Sequence, residues 1–158
     1  MTEPLRTFET RIKPEWIDDF GHMNVAHYIT VCDQATWAFW NLVNDGQQLD
    51  ERESHEYVIL ESHVHYINEV VEGDPVHVTT QLIGHDDKRF ILFHRMWRDT
   101  DGALSATNEV KGLAFNLAER RIESFLPEVR DRFADILAAH QTLDAPEQAG
   151  LGIALKRR

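Results

Sequence analysis

The stretch Glu15–Tyr28, EWIDDFGHMNVAHY, crowds two aspartates, a glycine, two histidines and an asparagine into fourteen residues. Asp18 stands three residues before Gly21 and seven before Val25, where an apolar run at helical spacing begins. Asn24 is placed to cap that helix, because its side chain can accept from the first unpaired amides. A helix N-terminus offers free N–H donors and a positive dipole end. A carbonyl oxygen there can be held as an oxyanion while a nearby carboxylate activates water or attacks the carbon itself. Gly21 lets the backbone approach a ligand. The residue types therefore suit acyl transfer to water. The alternative from residue types alone is a turn aspartate beside an ordinary cap.

Such a constellation needs elements to hold it. LRTFETRIKP alternates and stops at Pro14, as a first strand would. From Asn24, the residues Val25, Tyr28, Ile29, Cys32, Ala35, Phe39 and Leu42 recur at helical spacing, with Val31, Ala38 and Trp40 off that stripe. A helix apolar nearly all round is wrapped by other elements. Gly46 ends it, and QQLDERESHE is a polar loop. Four strand-like runs follow. They are YVILESHVHYINEV, with Val58, Leu60, Val64 and Tyr66 on one face; VHVTTQLIG; RFILFHRMWR; and ALSATNEVKGLAFNL. EGDP, GHDDK and DTDG between them are hairpin turn chemistry, which predicts antiparallel neighbours. SFLPEVRDRFADILAAH reads as a closing helix with Pro127 in its first turn. One sheet and one near-apolar helix ask for an α+β fold in which the sheet curls around the helix. A homodimer or dimer of dimers would cover the exposed edge. One domain is expected over residues 1–140, with a tail over 141–158.

The 158 residues carry 42% hydrophobic side chains, enough for a core, and a formal charge of −11. That acidity opposes nucleic acid and any anionic ligand lacking a local basic patch. Lys88 and Arg89, after HDD, are the candidate patch. Cys32 is the single cysteine, which excludes an intrachain disulfide and suits a cytoplasmic setting. The N-terminus lacks a signal-peptide core, and no apolar run reaches membrane-spanning length. Glu61, His63 and His65 alternate on one strand face. A metal site is not expected from this spacing in a chain of nine histidines. Glu61 or His63 at the border of the cleft, positioning water or substrate, is the functional reading; interface packing is the plain one.

DDFGHMNVAHY, preceded by a strand and followed by a helix and a meander, resembles the acyl-CoA thioesterases of the hotdog fold, the 4-hydroxybenzoyl-CoA thioesterase-like group. Asp18, Gly21, His22, Met23, Asn24 and Tyr28 match that pattern in place. VVEGDPVHV, KRF and DGALSATNEV also look like the group's strands and turns. The resemblance implies a hotdog fold, dimerisation and thioester hydrolysis, with coenzyme A as part of the substrate and no separate cofactor. It implies Asp18 as the catalytic carboxylate and the Val25 N–H as the group polarising the carbonyl. His22 and Asn24 line the loop, Gly21 and Tyr28 sit at the substrate, and Lys88 or Arg89 meets the CoA phosphates. PEWIDDFGHMNVAHY is further similar to thioesterases of carnitine and betaine breakdown, which implies a betainyl-CoA substrate. Its trimethylammonium group would suit an aromatic face, with Trp16, Trp37, Trp40 and Trp97 available. Two alternatives keep the fold: a non-catalytic acyl-CoA-binding module, and a dehydratase acting on an acyl thioester.

Overall fold

The computed structural model describes residues 3–47 and 49–155. Gln48 of the predicted polar loop and residues 156–158 of the predicted tail lie outside the described residues. The chain runs β1 (Leu5–Arg11), α1 (Val25–Val43), β2 (His55–Tyr66), β3 (Pro75–His85), β4 (Arg89–Arg98), β5 (Ala103–Asn116), β6 (Arg121–Ile122) and α2 (Pro127–His140). Short 3-10 turns at Pro14–Trp16 and Leu49–Glu51 flank the long helix. The strands form one antiparallel sheet in the order β1-β3-β4-β5-β2, with the two-residue β6 beside β5. This is a hotdog fold: a curled sheet with α1 in its concave face.

Strict alternation explains why β3 and β4 pack as they do. Val76, Val78, Thr80 and Leu82 face α1 together with Phe90, Leu92, His94 and Met96, and all eight are buried. His94 is the polar exception. It bridges Thr36 of α1 (2.9 Å) and Thr80 of β3 (2.8 Å), so a buried imidazole ties helix to sheet. Burial pushes its pKa down to about 3 and holds it neutral.

Three expectations are corrected. EGDP was read as a hairpin turn, but β2 pairs with β5 while β3 lies between β1 and β4, so this connection crosses the sheet instead of closing a hairpin. The buried face of α1 is Tyr28, Val31, Cys32, Ala35, Thr36, Phe39, Trp40 and Val43. Val25, Ile29 and Leu42, which seemed to belong to the apolar stripe, are exposed, as is Trp37. The helix is cradled by β1, β3, β4 and β5, and β2 meets it through Tyr57 against Trp40 and Tyr66 against Tyr28. In β2 a bulge between Ile59 and Glu61 breaks the simple alternation. Val58 and Val64 therefore do not share a face. Beyond the bulge Ser62, opposite Val110, bonds the buried Asn108 at 2.8 Å, while Glu61 turns the other way to Lys111 at 3.1 Å.

The C-terminal end of α1 is sealed by α2. Phe39, Trp40, Phe90, Phe125 and Phe133 form one aromatic cluster, with Phe125 and Phe133 centroids 4.9 Å apart. The Phe90 ring lies over Gly112, where a Cβ would come within 2.1 Å of it. His140, at the end of α2, accepts the Leu82 N–H at 2.8 Å. The following segment then crosses the outer sheet face. The Asp144 carbonyl accepts from Gln81 at 3.3 Å, and the Gly150 N–H donates to Glu109 at 2.8 Å. Phe93, paired in the ladder with both Gln81 and Glu109, is buried.

Candidate active site

The segment before α1 folds back on itself. The Asp18 N–H donates to the His22 carbonyl (3.0 Å), Gly21 N–H to the Asp18 carbonyl (3.0 Å), and Ile17 and Met23 form a β-bridge. Gly21 has φ +82°, so the glycine is needed for the turn itself. The Asn24 N–H donates to the Trp16 carbonyl at 2.9 Å, and the Met23 N–H donates to the Val70 carbonyl at 2.9 Å. These bonds pin the helix entrance between the 15–18 segment and the loop after β2.

Asn24 caps α1 as predicted: its Oδ1 accepts the Ala26 N–H at 3.0 Å. The His27 N–H donates to the Asn24 carbonyl at 3.0 Å. The Val25 N–H is left without an acceptor among the described residues. It sits at the positive end of a 19-residue helix, and Val25 itself is 57% exposed. A free, oriented N–H at that place can receive a carbonyl oxygen.

Asp18 is half-buried. Its Oδ1 accepts the Phe20 N–H at 2.9 Å, and its Oδ2 lies 3.8 Å from His22 Nε2. His22 Nδ1 bonds Glu69 Oε2 at 2.8 Å, so the imidazole stands between two carboxylates. The bond to Glu69 raises the His22 pKa above its ordinary value; partial desolvation offsets some of that rise, and the Asp18 and Glu69 charges add to it. The Arg98 guanidinium donates to the Glu69 carbonyl at 2.5 Å and pairs with Asp101 at 2.7 Å. Tyr66, at the end of β2, donates its hydroxyl to the Val25 carbonyl at 3.3 Å. Its ring meets the buried Tyr28 edge-on, with centroids 5.2 Å apart.

Asp18, Gly21, His22, Asn24 and Val25 thus lie together, and Tyr28 backs them from the core. The other expected residues lie elsewhere in the chain. Glu61 pairs with Lys111 on the outer sheet face. His63 lines an outer groove of about 790 Å³ with residues 147–154. Lys88 and Arg89 sit where β4 begins, whereas Arg98 beside Glu69 ends it. At about 3.3 Å per residue the ten-residue strand separates them by roughly 30 Å. Arg89 is also engaged by Asp86 of its own turn at 2.7 Å. Among the described residues no cluster of three or more His, Cys, Asp and Glu is arranged to hold a metal ion.

Tyr66, Glu69 and Arg98 were not singled out from the sequence. Each reaches the helix tip only through the docking of the 66–74 loop, so no local spacing announces them. The four tryptophans are mostly committed. Trp40 is buried, Trp37 lies under Arg52 (5.0 Å), and Trp97 donates to Thr79 on β3 (3.0 Å). Trp16 is stacked on His27 (5.4 Å), with the Lys13 ammonium 5.1 Å from its ring centre.

Residues 12–133 match the thioesterase-like superfamily, and the chain belongs to that family. Fold and family together place it among the hotdog-fold acyl-CoA thioester hydrolases. Over 155 residues it is 36% identical to the betainyl-CoA thioesterase of Pseudomonas aeruginosa, covering 98% of both chains. It is 34% identical to an L-carnitine dehydrogenase/betainyl-CoA thioesterase of Agrobacterium fabrum, spanning 95% of this chain and 30% of that protein. A Staphylococcus aureus protein solved in complex with CoA superposes with a TM-score of 0.87 at 30% identity, covering 99% of this chain and 98% of that one. A putative thioesterase from Pseudomonas putida superposes with a TM-score of 0.84 at 26% identity, covering 99% and 100%. No helix among the described residues is long and apolar enough to cross a membrane.

Proposed function

We propose that this chain hydrolyses betainyl-CoA, a short thioester with a cationic acyl group, to the free acid and CoA. The unclaimed Val25 N–H at the tip of α1, with the Asp18 carboxylate in the turn tied to the same segment, carries the reading. The thioester oxygen accepts from Val25 N–H, and Asp18 either takes a proton from attacking water or attacks the carbonyl carbon itself. In the first route the water oxygen bonds the carbonyl carbon, the C–S bond breaks, and the thiolate leaves with the proton that Asp18 accepted. In the second the thiolate leaves from an anhydride formed on Asp18, which a water then opens to the free acid, restoring the carboxylate. A single oxyanion donor of this kind contributes about 3 kcal/mol to lowering the barrier. Asn24, with its Oδ1 committed to Ala26, fixes the first turn so that the Val25 N–H stays aimed outward. His22, held by Glu69, orients the Asp18 carboxylate.

The betainyl assignment draws its support from the relative that is 36% identical over the whole chain. The length of β4, roughly 30 Å from Arg89 to Arg98 beside Glu69, argues that a second copy supplies the basic contacts to the CoA phosphates. The 12-residue edge strand β2, with Ile59 and Leu60 exposed, is the surface on which that copy would pair. No cofactor beyond the CoA of the substrate enters the scheme, and the setting is cytoplasmic. Thiol release from betainyl-CoA and acetyl-CoA tests the reading. Faster release from betainyl-CoA is expected. Equal rates would remove the betainyl assignment, and no release from any acyl-CoA in a broad panel would remove hydrolysis.

A further inference from the structure

A betainyl group places its quaternary nitrogen one methylene from the carbonyl carbon, two bonds and about 2.5 Å away. Whatever recognises the cation must therefore lie beside the helix tip. Trp37 is three turns along α1 from Val25, about 18 Å at 1.5 Å per residue, too far for so short an acyl group. Trp16 is near but already carries the His27 ring and the Lys13 ammonium. Tyr28 is buried.

Tyr66 is different. Its hydroxyl reaches the Val25 carbonyl at 3.3 Å, so it stands next to the residue whose N–H would hold the thioester oxygen. Its ring is fixed from one side by the edge contact with Tyr28 at 83°, and the residue remains 44% exposed. Two carboxylates, Asp18 and Glu69, stand on either side of His22 at this end of α1. We infer that the open face of Tyr66 receives the trimethylammonium group and selects a cationic over a neutral acyl chain. The inference rests on the reading that places the thioester carbonyl at the Val25 N–H.

The test compares kcat/KM for betainyl-CoA and for its neutral isostere, 3,3-dimethylbutanoyl-CoA, in which carbon replaces the quaternary nitrogen. Wild-type protein is expected to prefer the cation by about tenfold, the size of a partly desolvated cation–π contact. Tyr66→Leu is expected to bring the ratio near one by lowering kcat/KM for betainyl-CoA more than for the neutral substrate. Tyr66→Phe, which retains the ring and loses only the hydroxyl contact, is expected to keep the preference. Phe20, 86% exposed at the turn tip and edge-on to His22, supplies the control. Phe20→Leu is expected to leave the ratio unchanged. The inference is overturned if Tyr66→Leu lowers both substrates equally, if Tyr66→Phe already abolishes the preference, or if Phe20→Leu carries the loss instead. A wild-type ratio of one overturns the cation selection alone and leaves hydrolysis standing. Absence of turnover on both substrates removes the betainyl assignment and this inference with it.

Discussion

The two ends of α1 are built on opposite principles. At its C-terminal end Phe39 and Trp40 enter an aromatic cluster closed by Phe125 and Phe133. One ion pair there is internal: the Arg52–Glu56 pair is buried at 3.1 Å, and Arg52 also donates to Asn41 and the Gln47 carbonyl. At the N-terminal end a second buried cluster, with Ile12, Met23, Tyr28, Val31 and Val70, lies beneath a turn held by backbone bonds. One amide there is left unclaimed, and Val25, Ile29 and Tyr66 are exposed. A sealed end gains its stability from buried area and close packing. The open end keeps donors and carboxylates available above a buried cluster of its own. Two histidines beside α1 mirror this. His94 is neutral and wholly buried in the sheet, while His22 is only half-buried and biased toward its proton by Glu69.

This contrast can be broken from either side. Phe133→Ala should cost about 3–5 kcal/mol by opening the aromatic cluster. Chemical denaturation would read that loss, with turnover per folded molecule unchanged. A comparable loss of turnover would show that the two ends are coupled. Asn24→Ala acts at the boundary. Losing the cap should cost about 1 kcal/mol of stability, and turnover should fall disproportionately because the Val25 N–H is no longer held; a stability loss with full turnover would leave the cap merely structural. The smallest effect sharpens the comparison through pH. The folded His22 pKa lies above its unfolded value of about 6.5. Its contribution to stability is therefore fully present below that pH and is lost as pH rises through the higher folded value. The melting-temperature gap between wild type and His22→Gln should accordingly be wider near pH 5.5 than near pH 8.5, flanking that value. A gap that widens with pH would contradict the Glu69–His22–Asp18 arrangement.

How much of this was legible in the chain differs by element. β3 and β4 were readable because strict alternation has one solution when one face is buried. The Asn24 cap was readable because it solves a local backbone problem, whereas Gly21 was singled out for ligand approach and its φ of +82° shows that the turn itself requires it. β2 was misread because a bulge at Ile59/Glu61 changes the facing of later residues, and bulges leave little sequence trace. The stripe on α1 was misjudged because Val31 and Trp40 face the sheet while Val25, Ile29 and Leu42 do not, and apolarity alone cannot say which side is covered. The tail showed no period because it docks through scattered contacts at Asp144 and Gly150 instead of a repeating face. The partners of His22 and Val25 were invisible for another reason. Glu69 is 47 residues from His22 and Tyr66 is 41 from Val25, joined only by tertiary docking.

The central claim is that the carboxylate of Asp18 acts on a carbonyl held at the tip of α1. Asp18→Asn keeps the size of the side chain and its oxygen toward the Phe20 amide but removes the charge. Single-turnover hydrolysis of betainyl-CoA by this variant, measured beside CoA binding, is the direct test. A rate lowered by about a thousandfold is expected, with CoA affinity and melting temperature near wild type. Turnover within a few-fold of wild type would contradict the account.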